Sequence, residues 1–272
     1  MAVSKSRGRA PAQARLKGIL THLNAGGTVS VSQLAARFGV SDMTIRRDLT
    51  ELERDGLLER VHGGAVAATS EPLTVMDDSE PNFSVRARNF AEAKARIALA
   101  ALPLIEGLGT VAIDVGSTTL AAARALAEHA PREASPRVFT NSLRVANVMG
   151  RAHIRTWLPA GQLRPEEMSI TGASAVASFS QYFFEAVLIG AAGLTAEGAF
   201  DYSPEDSALK HVFLAQAQRR ILLADQSKFR RISTVRVAGF DAFTDLVTDA
   251  EPPADLARAL ERAGTKVHIA SL

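Results

Sequence analysis

The stretch VSDMTIRRDLTELERDGLLERVHGGA, Val40–Ala65, decides how the N-terminal part of the chain folds. Ser41 precedes an apolar series at Ile45, Leu49 and Leu52, spaced so that one face of a helix is buried, and its hydroxyl can cap that helix. The helix runs to about Asp55, and Gly56 stops it. Two short β-like runs, Leu57–Arg60 and Ala65–Ala68, then flank the turn His62-Gly63-Gly64. Upstream, Gly39-Val40-Ser41 makes a tight turn, and a second helix begins at Ser30, where Ser30 and Gln33 have capping-box spacing. Its buried face is Val31, Leu34, Ala35 and Phe38. Further out, residues 13–24 place Leu16, Ile19, Leu20 and Leu23 on one helical stripe that ends at Asn24-Ala25-Gly26-Gly27. Helix, helix, turn, helix and hairpin is the order of a winged helix-turn-helix.

In such a head the third helix enters the major groove with its N-terminal residues against base edges. Those residues are Ser41, Asp42, Met43, Thr44, Arg46 and Arg47, and the expected partner is double-stranded operator DNA. An arginine here can make two hydrogen bonds to guanine, while Arg60 and His62 of the wing can reach the neighbouring backbone or minor groove. On an arbitrary helix Arg46 and Arg47 would instead pair with Asp42, Asp48 or Glu51 on a solvated surface, and His62 alone would read as an exposed turn residue. The net charge of +2 is unevenly spread: residues 1–65 hold ten Lys and Arg against six acids, and the remainder 21 against 23. Lys5, Arg7, Arg9, Arg15 and Lys17 come before any acid, a local excess that attracts polyanions or merely solvates a tail.

Residues 69–83, TSEPLTVMDDSEPNF, are acidic, proline-bearing and without apolar period, and read as a linker. The expected domains are thus a basic tail over 1–12, the winged head over 13–68, the linker, and a second domain over 84–272. In the latter a helix from about 84 to 106 precedes the run Val111–Asp114, an Ala-rich helix follows at 118–129, and then comes Arg137–Thr140. Further apolar runs lie at 154–158, 186–190, 220–224, 245–248 and 267–270, with helices at 204–218 and 253–263. This alternation predicts an α/β domain with a mainly parallel sheet covered on both faces.

Ligands of such sheets bind beyond the carboxyl ends of the strands. Four ends here are polar. Asp114 leads into Val115-Gly116-Ser117-Thr118-Thr119 and a helix start, a combination suited to a phosphate. Thr140-Asn141-Ser142 and Asp225-Gln226-Ser227-Lys228 end two further strands, with a cation at Lys228, the run AVLIGAAGL supplies small residues at 190–193, and Ala160-Gly161 follows the strand carrying Trp157. Taken singly, each is also ordinary turn chemistry. There are no cysteines, and the six histidines show no ligand spacing, so no metal or other cofactor is expected. No apolar run is long enough to span a bilayer and no secretory signal is visible, which reads as a cytoplasmic protein.

Val40–Ala65 closely resembles the helix-turn-helix signature of the DeoR family of bacterial regulators. That signature combines a VS turn, a TIRRDL helix, an L-x-x-L-x-x-x-G exit and an HGGA wing, and Arg15, Leu34 and Phe38 also match. Residues 84–250 resemble the family's sensor domain at D-V-G-S-T-T (114–119), T-N-S (140–142), G-x-L with a later T-G (161–172), G-L-x-x-x-G (193–198) and D-Q-S-K-F (225–229). The resemblance implies a fold akin to ribose-5-phosphate isomerase and a repressor of sugar or carbon metabolism genes modulated by a phosphorylated sugar or related metabolite. Carried over by position, Asp114, Gly116, Ser117, Thr118 and Thr119 form the phosphate loop. Thr140, Asn141, Lys210, Asp225 and Lys228 line the remainder. Ala160 stands where a glycine pair is usual, and Arg230 replaces the glycine that often follows K-F. A two-fold operator implies a homo-oligomer, dimer or tetramer, held by the sensor domain. Two other readings stay open: a sugar-phosphate isomerase using Asp114, Glu205, Asp206 or Asp225 as base, and a dimerisation platform with a degenerate pocket.

Overall fold

The structure, a computed structural model, describes residues 12–26, 28–54, 57–61, 63–67, 75–76, 82–129 and 135–270. The chain divides into two compact units, residues 1–73 and 74–272.

In the first unit α1 (Ala12–Gly26) leads through β1 (Thr28–Ser30) to α2 (Val31–Phe38) and α3 (Asp42–Arg54), followed by β2 (Leu58–Val61) and β3 (Gly64–Ala67). Ile19 and Leu23 of α1 are fully buried against Leu34, Ile45, Leu49 and Leu52. At about 1.5–3 kcal/mol per buried aliphatic side chain, this one cluster supplies most of the driving force for so small a unit. The caps follow the sequence. The Ser30 hydroxyl accepts from Gln33 N at 3.2 Å, and Gly39 closes α2 in the left-handed region at φ 65°.

One element has no signature in the apolar pattern. β1 pairs antiparallel with β3, so the wing is a three-stranded sheet in the order β1-β3-β2. This explains Gly64, because a Cβ there would lie 2.0 Å from the Val29 carbonyl oxygen. Gly56, read as the helix stop, lies outside the described residues, as does His62.

The second unit opens with β4 (Val75–Met76), inside the stretch read as linker, then α4 (Phe83–Arg88) and α5 (Ala91–Ala101). The single helix expected over 84–106 is therefore interrupted: Asn89 caps α4, and Phe90 takes a left-handed φ of 55° before α5 begins. Alternating elements follow: β5 (Thr110–Ile113), α6 (Ser117–His129), β6 (Arg137–Phe139), α7 (Leu143–Arg151) and β7 (Thr156–Trp157). A hairpin, β8 (Gln162–Arg164) and β9 (Ser169–Thr171), precedes α8 (Ala173–Phe179) and β10 (Phe184–Gly190). Then come β11 (Gly193–Thr195), β12 (Gly198–Asp201), α9 (Pro204–Gln216) and β13 (Ala217–Leu223). The unit closes with β14 (Arg231–Ile232), β15 (Val235–Ala238), β16 (Asp245–Thr248), α10 (Ala254–Ala263) and β17 (Lys266–Ile269).

Seven strands form one parallel sheet in the order β17-β16-β13-β10-β5-β6-β7. Side chains alternate along each strand between two separate cores. Ala112, Val187, Ile189, Leu222 and Leu246 join the helices α8, α9 and α10 on one face. Val111, Ile113, Leu188, Ile221 and Val247 join α5, α6 and α7 on the other. Three strands outside it, β11-β12-β15, make a small antiparallel sheet, and β14 pairs in parallel with β4. The central strands β5 and β10 end side by side, with Leu188 in register with Ile113, which puts Asp114 and Gly190 together at the carboxyl edge.

Candidate functional site

In the first unit α3 presents its polar face outward. Ser41 opens the helix: its hydroxyl lies 3.0 Å from Thr44 Oγ1 and accepts from Thr44 N at 3.3 Å. Asp42, Met43, Arg46 and Arg47 are exposed, Met43 to 76%, and Thr44 is half-buried. Among the described residues, neither the Arg46 nor the Arg47 guanidinium forms an ion pair. Arg60 on β2 is exposed and donates to Thr50 Oγ1 at 3.2 Å, which ties the wing to α3.

Two expectations are corrected. Asp48 is not a surface partner for Arg46 or Arg47, and Arg15 is not part of a polyanion-attracting tail. Arg15 and Asp48 are buried together as a two-pronged ion pair, Nε to Oδ2 and Nη2 to Oδ1, the latter at 2.9 Å. The hydrogen bond to Asp48 holds the guanidinium pKa above its ordinary value against the cost of burial. Residue type and spacing gave no sign of this, because the partners are 33 residues apart.

In the second unit a cleft opens at the carboxyl ends of β5 and β10. One wall is Gly116-Ser117-Thr118 at the start of α6, where the first-turn amides have no intrahelical acceptor. Gly116 has φ 145°, a conformation that favours glycine, and its carbonyl accepts from Leu120 N at 3.0 Å. Lys228, from the turn after β13, and Arg86, from α4, also line the cleft. The small residues Gly190, Ala191 and Ala192 leave its base open, and Asp201, Tyr202, Asp206 and Lys210 form an acidic end.

Lys210 is fully buried. Its ammonium donates to Asp114 Oδ2 and, at 3.0 Å, to the Gly190 carbonyl, with Asp201 Oδ2 also at 3.0 Å. Burial works against the ammonium, but Asp114 and Asp201 outweigh it and hold its pKa above the ordinary value. Burial pushes the Asp114 carboxyl up to about 7; Lys210 opposes this, and Asp201 and Asp206 add to it. The Lys210 direction reflects the acids around it, and the Asp114 direction reflects chiefly its burial. Lys228 differs: burial lowers its pKa, Asp225 pulls it back up, and Lys94, Arg231 and Arg86 push it down again. Among the described residues it has no ion pair, and it lines the same cleft as the first-turn amides of α6. A bound anion would satisfy both.

The expected residues therefore separate. Gly116, Ser117, Thr118, Lys210 and Lys228 line the cleft. Asp114 is buried behind Lys210, with Oδ1 lacking a hydrogen-bond partner. Thr119 lies beneath the loop and donates to the Gly116 carbonyl at 3.1 Å. Thr140 and Asn141 are buried at the end of β6 and do not line the cleft; Thr140 Oγ1 accepts from Ser142 N, and both polar atoms of the Asn141 side chain lack a partner. Asp225 is a buried support whose carboxylate lies 3.0 Å from Lys94 Nζ and accepts from Ser227 N at 3.0 Å. Lys94 and Ser227 with Lys228 keep its carboxyl below the usual range despite burial. Glu205 accepts from the hydroxyl of Ser203, the residue that caps α9, and is not in the cleft. Arg86, Glu167, Asp201 and Tyr202 line it without having been expected. They come from the broken helix, a hairpin and the small antiparallel sheet, none of which the apolar period reveals. Ala160 is exposed and outside the cleft.

Among the described residues no cluster of metal-ligating side chains occurs, and no helix is long and apolar enough to cross a membrane.

A helix-turn-helix head and a parallel α/β unit with a polar cleft at its strand ends define a DNA-binding regulator with a small-molecule sensor. Comparison with known proteins agrees: residues 15–71 match the DeoR-like helix-turn-helix domain and residues 89–250 the DeoR C-terminal sensor domain. The chain belongs to the DeoR family. It is similar to the glycerol-3-phosphate regulon repressor of Escherichia coli (strain K12), at 32% identity over 90% of this chain and 94% of that one. It is also similar to the HTH-type transcriptional repressor GlcR of Bacillus subtilis (strain 168), at 29% identity over 93% and 94%. These relatives are named as transcriptional repressors, and the isomerase reading finds no support among them. Ribose 5-phosphate isomerase A from Methanocaldococcus jannaschii aligns with a TM-score of 0.39 and 16% identity, covering 52% of this chain and 55% of that one.

Proposed function

We propose that the chain represses genes of sugar or carbon metabolism in the cytoplasm, and that a phosphorylated sugar or related metabolite bound in the cleft modulates its hold on the operator. The head over 13–68 reads DNA through Ser41, Asp42, Met43, Thr44, Arg46 and Arg47, with Arg60 and His62 of the wing alongside. The domain over 84–272 takes the metabolite's phosphate between the α6 amides and Lys228 and its hydroxyls toward Lys210. Asp114, Thr119, Thr140, Asn141 and Asp225 support that cleft from behind. The same domain holds a homo-oligomer whose two heads match a two-fold operator.

The observation that carries this is Lys228, a half-buried ammonium with no ion pair among the described residues that lines the same cleft as the first turn of α6. The test is operator binding by the full chain on its own upstream DNA, with and without a panel of phosphorylated sugars. One compound should shift the affinity severalfold, and Lys228→Ala should ignore that compound while binding DNA normally. A Lys228→Ala protein that still responds removes Lys228 from the site.

A further inference from the structure

The cleft has a further cation, Arg86, on the first helix of the second unit. Arg86 lies on α4, and its guanidinium pairs with Glu167 in the turn between β8 and β9, where Glu167 is 3% exposed. Both residues line the cleft with Gly116–Thr118 and Lys228. Arg86 and Lys228 are close enough for each to oppose the other's charge. Arg86, Lys228 and the first-turn amides of α6 therefore border one space, and the carboxylate of Glu167 pairs with Arg86 there.

We infer that Arg86 is a second anion-binding residue of this cleft, and that an incoming phosphoryl group displaces Glu167 from it. The inference rests on the reading of the cleft as a phosphate site and adds an exchange to it. Coulomb attraction favours the exchange, since a phosphoryl group at neutral pH carries more charge than one carboxylate and offers three acceptor oxygens to a fork-shaped donor. Losing the Arg86 partner costs the buried Glu167 carboxylate one charge-assisted interaction, which opposes the ligand and helps set how tightly the cleft can bind.

The exchange also has a route outward. α4 is anchored by Phe83, which is buried between the Arg144 guanidinium, 4.1 Å from the ring centroid, and that of Arg86 at 5.6 Å. Moving Arg86 from Glu167 to a ligand alters one of the two cations that hold this ring. On the other side of the cleft, β14 follows Lys228 by three residues and pairs with β4, Arg231 with Val75 and Ile232 with Met76. Each cation of the site thus sits on or beside one of the first elements of the second unit, Arg86 on α4 and Lys228 three residues before the strand that pairs with β4.

The experiment is calorimetric titration of the full chain with inorganic phosphate, for the unaltered protein, Glu167→Gln, Arg86→Ala and Lys228→Ala. Amide hydrogen exchange over Phe83–Arg88 is followed in parallel. Glu167→Gln keeps the shape of the side chain and removes its charge, and it should bind phosphate about tenfold tighter, the size of one charge-assisted hydrogen bond no longer contested. Arg86→Ala should lose a similar factor, and phosphate should slow exchange across Phe83–Arg88 in the unaltered chain. If Lys228→Ala abolishes phosphate binding while Glu167→Gln and Arg86→Ala match the unaltered protein, the exchange is wrong and the phosphate site stands. If neither the unaltered chain nor Glu167→Gln binds phosphate or any phosphorylated sugar, both fall together.

Discussion

Arg15 on α1 grips Asp48 on α3 with both prongs of its guanidinium, and the two side chains are almost wholly buried. Asp48 belongs to the same helix as Arg46 and Arg47, so the pair fixes the rotation of the helix that presents them. Removing Asp48 takes away the two-pronged partner of a buried guanidinium, a loss of the kind that costs about 3–5 kcal/mol. Asp48→Ala should destabilise the head by that amount in denaturant titrations that follow its unfolding. A loss below about 1 kcal/mol would mean that water already screens the pair.

The exposure of Arg47 leads to a separate expectation. Arg47→Ala should weaken operator binding by about 1–3 kcal/mol if the guanidinium reads a guanine edge, and base preference at that position should relax. Fluorescence anisotropy on operator and scrambled duplexes at several salt concentrations separates the cases. An equal loss on both duplexes, with a shallower salt slope, would assign Arg47 to a phosphate.

Lys228 should make the ligand-free sensor less stable than it could be. Burial lowers its pKa, with Lys94, Arg231 and Arg86 reinforcing the effect against Asp225. The folded state then binds fewer protons than the unfolded state between the lowered value and the ordinary one near 10.5, so stability should rise with pH across that window. Anion affinity should move the opposite way, falling as the ammonium loses its proton. Lys228→Met should raise the ligand-free melting temperature by about 2–4 °C, the response of a domain this size to about 1 kcal/mol. It should also flatten the rise with pH. A lowered melting temperature would show that the ammonium already has a stabilising partner.

Arg230 tests backbone strain. It stands in the left-handed region at φ 60°, its amide donates to the Leu194 carbonyl at 2.7 Å, and among the described residues its side chain pairs with a half-buried Asp255 at 3.9 Å. A non-glycine residue there costs about 1–2 kcal/mol, partly offset because glycine loosens the unfolded chain. Arg230→Gly should therefore be neutral or stabilising by up to about 1 kcal/mol in thermal denaturation. A clear destabilisation would show that the side chain does more than its single distant contact suggests.

The helices of the head were legible because each keeps a clean apolar stripe and a polar cap, as Ile45, Leu49, Leu52 and Ser41 show. The central strands were legible because burial on both faces makes them short apolar runs. The third strand of the wing was not, since Thr28–Ser30 is held by backbone pairing with β3 and carries no period of its own. The cleft divides the same way. Gly116–Thr118 and Lys228 sit at strand ends that the sequence announces, whereas Arg86, Glu167 and Asp201 arrive from pieces that local pattern does not connect. Asp48 was misread because a helix-surface position and a buried ion-pair position look alike until the partner helix is in place.

The strand order has a consequence for the order of events on the ribosome. The head's last strand ends at Ala67, while β5 of the large sheet must wait for β10, which begins at Phe184. At about 5–20 residues per second, the roughly 120 residues in between take about 6–25 seconds to emerge. Throughout that interval the operator-reading sequence is complete and the sheet that carries the cleft cannot close. A nascent chain therefore passes through a period in which its DNA-reading unit is complete and its sensor is not.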